Sequence, residues 1–439
     1  MNLKPLFSTR SKEVVCQNSL AKNFPLFFPS GTMVHTYRSR GGPTMLYFTW
    51  LPKPVTNWLH VLRPMLHHRH HVVFSWLLVC QATYQEKATI KGLARLAPRH
   101  IAEWHLRRFL TAAYWNWRIL LWWFADQVIA TLPPPDDGVC YLVVESTIKD
   151  KTGSKHPLAK KGRLHEYAPY VFGLHVVVVM LQWGNYRIPV DFEIVRRKDH
   201  PQYRSDNALF RRMLVRFRRP GWAEMVVVVG DAAFASKANS KLISQRGYFF
   251  VIAFARTWRF ENGQTLKDVV THLPKKHYHR CWVPLEEPRR RRTYWTYTKR
   301  ACLRHIGDVT MILSKQRRNH GPKQTKILVT NLPEVSARQV VDVYRRRWSV
   351  ELLFKELKGA TGLGQHQVTK DPHRIERSVA ISILAYLMLL KFRAHDIPKH
   401  GSWSAFTLKR NFTWQLAQAQ LERSVKQRFS KRRQECKAA

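Results

Sequence analysis

From residue 58 to 130 the apolar positions recur at helical separations, with Leu77, Leu78, Leu93, Leu96, Phe109, Leu110, Ile119 and Leu120 among them. That spacing predicts a helical N-terminal region. Within it, residues 89–96 read as a first helix, Pro98 as a break, and residues 100–110 as a second helix carrying Arg107 and Arg108. Helix, short turn and basic helix is the arrangement that sets a second helix into the major groove of a duplex. Any antiparallel helix pair gives the same pattern. Trp115, Trp117, Trp122 and Trp123 read as packing residues.

Three prolines, Pro133 to Pro135, followed by Asp136, Asp137 and Gly138, form a turn cluster and mark a boundary. After it the period changes. Residues 139–145 are an apolar run ending in Glu145, residues 170–180 a longer Val-rich run, and residues 186–195 alternate loosely after a turn at Trp183, Gly184 and Asn185. A helix is expected over 206–217. Residues 225–229 are apolar throughout, as a buried parallel strand should be, and Gly230 and Asp231 follow at once. Residues 248–254 read as a fifth strand. Three strands, a helix and two more strands is the order of the ribonuclease H-like fold. Residues 256–331 read as a β-rich insertion, with strands at 311–314 and 326–330. It carries a run of Arg289, Arg290, Arg291 and Arg292 beside Tyr294, Trp295 and Tyr297. A strong helix is expected over 336–358, with Ser336 as its N-cap. A last apolar helix is expected over 375–393, and a basic, frayed tail over 423–437.

Charge changes this picture more than size does. Lys and Arg number 74 against 29 acids, a formal net charge of +45, while 45% hydrophobic and 12% aromatic residues are ordinary for a globular chain. Self-repulsion of that size weakens a compact state unless a polyanion is the usual partner, and nucleic acid is the obvious one, a basic protein that binds membranes or ribosomes being the bland alternative. The cysteines at 16, 80, 140, 281, 302 and 436 have no C-x-x-C spacing and suggest neither a zinc site nor a disulfide framework, so a reducing, cytoplasmic setting is expected. The apolar stretches 72–80 and 380–390 fall short of the roughly 20 residues that a membrane helix needs. No membrane partner is expected. Residues 1–44 are irregular and read equally as a dispensable tail or as sequence upstream of the natural start.

Two-metal phosphoryl transfer needs carboxylates gathered so that two Mg²⁺ ions sit roughly 3.5–4 Å apart. In a ribonuclease H-like sheet the acids come from the first strand, from just past the fourth strand, and from a helix across the sheet. Those places fall on Glu145, Asp231 and Glu351. Tyr344, Arg347, Glu351 and Lys358 are spaced to share one helix face. A carboxylate flanked by cations on one face suits a metal held beside phosphates. A solvated salt-bridge face is the bland alternative, and it leaves Tyr344 and Trp348 amid the charges unexplained.

The same four residues carry a resemblance. Their spacing is similar to the Y-(2)-R-(3)-E-(6)-K signature of the insertion-sequence transposases of family four, a DDE group of bacterial elements. Residues 226–234, VVVVGDAAF, resemble that family's second-acid block. Glu145, Ser146 and Thr147, followed by Lys149, Lys151, Thr152 and Gly153, resemble its first. The resemblance implies a cut-and-paste transposase that binds terminal inverted repeats and target DNA as double strands. It further implies a homodimer in the DNA complex, association with the nucleoid, and Glu145, Asp231 and Glu351 as ligands of Mg²⁺, with Mn²⁺ able to substitute. DNA contacts are expected from Tyr344, Arg347, Lys358, Arg107, Arg108 and the arginines 289 to 292. The fold class expected is α/β: a ribonuclease H-like catalytic core with a β-rich insertion and a helical N-terminal DNA-binding domain. Its divisions are 1–44, 45–132, 139–255, 256–331, 332–395 and a basic tail at 396–439. One residue departs from the pattern. The family has Asp where this chain has Glu145, and the extra methylene carries the carboxylate about 1.5 Å further out. A misplacement of about 1 Å can cost 10²-fold in rate, which leaves a weakened or inactive DNA-binding remnant as the alternative. A host ribonuclease H-like nuclease is the third reading.

Overall fold

The computed structural model describes residues 36–37, 45–46, 48–151, 156–163, 169–284, 291–365 and 371–438. The fold is mixed α/β. Short strands β1 (Thr36–Tyr37) and β2 (Met45–Leu46) pair ahead of five helices, α1 (Lys53–His60), α2 (His68–Thr83), α3 (Ile90–Leu96), α4 (Glu103–Thr111) and α5 (Trp117–Ile129). Side chains cap two of these helices: Thr89 accepts from the Gly92 amide at α3, and Asn116 from two amides at α5.

A ten-stranded sheet follows, beginning with β3 (Val139–Asp150), β4 (Ala159–Arg163), β5 (Tyr170–Trp183) and β6 (Tyr186–Ile194), paired antiparallel. β5 is long enough to hold β4 along its first half and β6 along its second. α6 (Asp206–Arg216) then crosses to β7 (Met225–Gly230), which lies parallel to β3. α7 (Lys237–Gln245) crosses to β8 (Phe249–Ala253), parallel to β7. The remaining strands come after α8 (Leu266–His272). They are β9 (His279–Pro284), β10 (Arg291–Leu303), β11 (Gly307–Lys315) and β12 (Lys326–Thr330). β12 pairs with β8, so these strands continue the sheet and β9 ends it. The chain closes with α9 (Ala337–Arg345), α10 (Trp348–Gly359), α11 (Pro372–Arg393) and α12 (Ala405–Ala438).

Strand alternation sets the two faces of the sheet. Glu145 and Thr147 of β3 turn toward α10, where Arg347 and Lys358 meet them. His175 of β5, paired across from Ile148, turns the other way and meets Asp206 of α6 at 3.1 Å. The acid-bearing face of β3 is therefore the one covered by α10.

Two expectations need correction. The segment 336–358 is two helices rather than one. Across the join, the amides of Arg346, Arg347, Ser349 and Val350 bond to carbonyls three residues back, which tightens the turn and divides α9 from α10. Ties to the sheet hold it there: Arg346 stacks over Tyr141 at 4.3 Å and the Ser349 hydroxyl donates to Gln182 at 2.6 Å. The tail expected to fray at 423–437 is the largely exposed far end of helix α12, whose first turns are anchored by the buried Leu408, Phe412 and Leu416.

Charged groups tie the layers together. Arg118 of α5 and Arg216 of α6 share Asp191 and Glu193 of β6, at 2.7 to 3.4 Å. Deeper still, Arg187 of β6 pairs with Glu356 of α10 at 3.0 Å, and the carboxylate also accepts from the Tyr386 hydroxyl and the Ala405 amide. Both side chains of that pair are less than a tenth exposed. Removing one member leaves the other charge buried without a partner, which costs about 3–5 kcal/mol. Glu356→Ala is therefore expected to lower the urea midpoint by that amount of stability. An unchanged midpoint would mean that water compensates Arg187.

Candidate active site

β3 and β7 run parallel with Val144 opposite Gly230, so the next residues on each, Glu145 and Asp231, stand side by side at the carboxyl end of β7. The backbone reaches this point through Gly230, where a side chain would come within 3.2 Å of Val144 and 3.4 Å of Phe234. Asp231 then starts a short turn, and its carboxylate accepts from the Ala233 amide at 2.9 Å. Burial raises the pKa of both acids. Glu145 is pushed up to about 7, by burial first and then by the Asp231 charge, with Arg347 opposing. Asp231 is raised by burial against its amide bonds and Arg347.

The third acid arrives from the join between α9 and α10. Arg347 reaches Glu145 with one guanidinium nitrogen at 2.5 Å and Glu351 with the other at 2.7 Å, so it bridges the first and third acids. Burial works against the Arg347 charge, yet Tyr344, Glu145 and Glu351 outweigh it and hold the group above its ordinary value. Tyr344 sits on α9 beside it, its phenol raised by burial and by Asp231 and Glu145, with Arg347 opposing. Lys358 turns back onto β3, donating to the Thr147 hydroxyl at 2.7 Å and to the Ile148 carbonyl at 3.0 Å. Those two bonds fix α10 on the strand that carries Glu145.

Beside the acids lies an open cavity of about 960 Å³ between β10–β12, α9–α10 and the β5–β6 turn. Arg292, Lys326, Arg345, Arg346 and Arg347 line it. Lys326 heads β12 with its ammonium 5.3 Å from the Tyr344 ring. Desolvation lowers its pKa, Arg347 adds to that, and Glu351 and Asp231 oppose it, so its charge faces the acids. Nothing in the sequence singles it out among 74 lysines and arginines; only the pairing of β12 with β8 brings it here.

The remaining expected residues are scattered. Arg107 is engaged with Glu103 of its own helix, and α4, which also carries Arg108, packs chiefly on α2, α3 and α11. Arg291 and Arg292 lie on β10, facing opposite ways, and Arg289 and Arg290 fall outside the described residues. Among the described residues no cluster of three His, Cys, Asp or Glu side chains is gathered to hold one metal ion. The donors present still suit one. Glu145 and Asp231 are hard oxygen donors crowded together with raised pKa values, and Glu351 is held near them by Arg347. No helix of the described residues is long and apolar enough to cross a membrane.

The model of the transposase DDE domain matches residues 142–388. The chain belongs to this family. DDE transposases are DNA-cutting enzymes that generally use divalent metal ions, and the matched stretch contains Glu145, Asp231 and Glu351. Among solved structures, the DDE chain is similar to the piggyBac transposase synaptic complex with hairpin DNA. They share 10% identity over 85% of this chain and 78% of that one, with a TM-score of 0.46. It is also similar to the NurA nuclease from Sulfolobus solfataricus, with 9% identity over 47% of this chain and 72% of that one and a TM-score of 0.23. None of the curated proteins matches it.

Proposed function

We propose that this DDE protein is a cut-and-paste transposase of insertion-sequence family four. It binds the terminal inverted repeats of its element, hydrolyses phosphodiester bonds there, and joins the freed 3′-hydroxyl to target DNA. The observation that carries the reading is the parallel register that sets Glu145 beside Asp231, with Arg347 linking Glu145 to Glu351. Glu145, Asp231 and Glu351 would hold Mg²⁺, or Mn²⁺ in its place. Bound there, the metal supplies an activated oxygen nucleophile and neutralises charge on the leaving oxygen. The protein's own part is electrostatic and positional. Arg347 exchanges its carboxylate partners for a phosphate, which its forked guanidinium fits in bidentate fashion, and this frees Glu351. Lys326 and Tyr344 flank that phosphate, and Lys358 keeps α10 in register with β3.

In this reading, residues 139–255 and 332–395 are a ribonuclease H-like core, residues 256–331 an insertion, and residues 45–132 a DNA-binding domain whose α3–α4 pair meets the duplex. Residues 396–439 are a basic C-terminal segment. The protein works on double-stranded DNA as a homodimer at the nucleoid. Glu145 in place of Asp favours a second reading, a remnant that binds ends and does not cut.

Binding tests the reading without requiring cleavage. The DNA flanking the gene in its native locus should be bound on the order of 10³-fold or more tighter than an unrelated duplex. With a net charge of +45, the logarithm of affinity should fall with the logarithm of salt by about 0.9 per phosphate contacted. Equal affinity for both duplexes would remove end recognition, and a flat salt dependence would assign the charge to another partner.

A further inference from the structure

The run of arginines divides at β10. Arg292, opposite Val283, faces the cavity beside the acids, and Arg291, opposite Pro284, faces the other side of the sheet. On that outer face the cross-strand pairs Trp295 with Arg280 and Thr293 with Trp282 gather aromatic and basic side chains. Trp282 is 48% exposed and has two guanidiniums near its ring, Arg280 at 5.2 Å and Arg291 at 5.9 Å. One step inward, Arg318 lies 5.3 Å from the Trp295 ring. All three arginines are exposed, and among the described residues no carboxylate forms an ion pair with any of them. β9 is the last strand of the sheet, so this row runs along an edge that a duplex can approach.

We propose that this row, Arg280, Trp282, Arg291, Trp295 and Arg318, is a second DNA-binding surface that holds the phosphate backbone of a duplex segment other than the one at the acids. The inference rests on the transposase reading and extends it. Exposed arginines ordinarily lose rotamer freedom when they bind. Here each guanidinium already lies near an indole, a favourable cation–π arrangement. The planar fork then meets phosphate oxygens in pairs. Adjacent positions on β10 point to opposite faces, so the row is turned away from Arg292 and the two surfaces take separate segments. Tryptophan beside arginine serves this purpose without reading sequence, since phosphate contacts position a duplex and do not select its bases.

The test uses the full chain, a labelled duplex of arbitrary sequence and the native-locus fragment. Trp282→Ala removes no charge. It is expected to weaken the arbitrary duplex by about five-fold, because Arg280 and Arg291 no longer have an indole to rest on. The combined change Arg280→Ala, Arg291→Ala and Arg318→Ala should lower the salt slope by about 0.9 for each phosphate that the variant no longer holds. A control, Arg212→Ala with Arg219→Ala and Lys241→Ala, removes equal exposed charge outside the row and outside residues 45–132. Thermal melting of each variant should match the natural chain, since all these side chains lie at the surface. The proposal is overturned if Trp282→Ala binds as the natural chain does and the arginine variant matches the control. It is also overturned if the losses appear on single-stranded oligonucleotides and not on the duplex. Either result leaves the transposase reading intact, provided that the natural chain still prefers its native-locus fragment. A natural chain that shows no such preference counts against the transposase reading instead, whatever the row does.

Discussion

Glu351→Gln is expected to lower metal-dependent strand cleavage by about 10²–10³-fold or more, the loss that follows removal of one preorganised electrostatic group from a phosphoryl or acyl transfer site. Gln keeps the size of the side chain and an oxygen that accepts from Arg347, now at 2.7 Å, so α10 should stay where it is. What disappears is the charge that a divalent ion needs. DNA affinity should hold or rise slightly, because a negative group is lost next to a cavity lined by Arg292, Lys326 and Arg346. Cleavage and affinity measured on the same preparation separate these effects. Normal cleavage by the variant would remove Glu351 from the acids that do chemistry.

Glu145→Asp should move activity the other way. Glu145 is long enough to meet Arg347 at 2.5 Å, and this ion pair ties up both the acid and the guanidinium. Asp is shorter by one methylene, about 1.5 Å. It would loosen Arg347 and draw the carboxylate back toward Asp231's side of the site, in line with the pattern of the family. If misplacement is the defect, cleavage should rise by about 10-fold or more. Mg²⁺ demands near-ideal octahedral geometry, so the natural chain should also prefer Mn²⁺ over Mg²⁺ more strongly than the Asp variant does. Two outcomes count against this account. A fall in activity would mean the surrounding backbone has adapted to Glu. Full activity in Glu145→Ala would mean that Glu145 holds nothing.

The parts of the site that are legible in the sequence are those written in local pattern. The run 225–229 is apolar on both faces because β7 is covered on both, and that makes the following Asp231 stand out as the residue where a buried strand meets solvent. The spacing of Tyr344, Arg347, Glu351 and Lys358 is legible as helical. The break between α9 and α10 is not, because it is made by Tyr141, Gln182 and Glu145, which lie 167 or more residues away in sequence. Neither is the Arg187–Glu356 pair, for the same reason. β10 is hidden for a different one. Its inner face meets a polar cavity and its outer face carries Trp295 and Arg291, so no alternation of apolar with polar survives along it. α12 carries little amphipathic signal beyond Leu416 and reads as a tail, although its first three turns are anchored in the core.

The most direct test of the central claim is cleavage by the purified natural chain on a fragment of its native locus, with Mg²⁺, with Mn²⁺ and with the metals chelated. The account predicts strand breaks at the two element ends that require a divalent ion, are stronger with Mn²⁺, and leave 3′-hydroxyl groups. Breaks that persist in chelator, or that fall at random along the fragment, would contradict it.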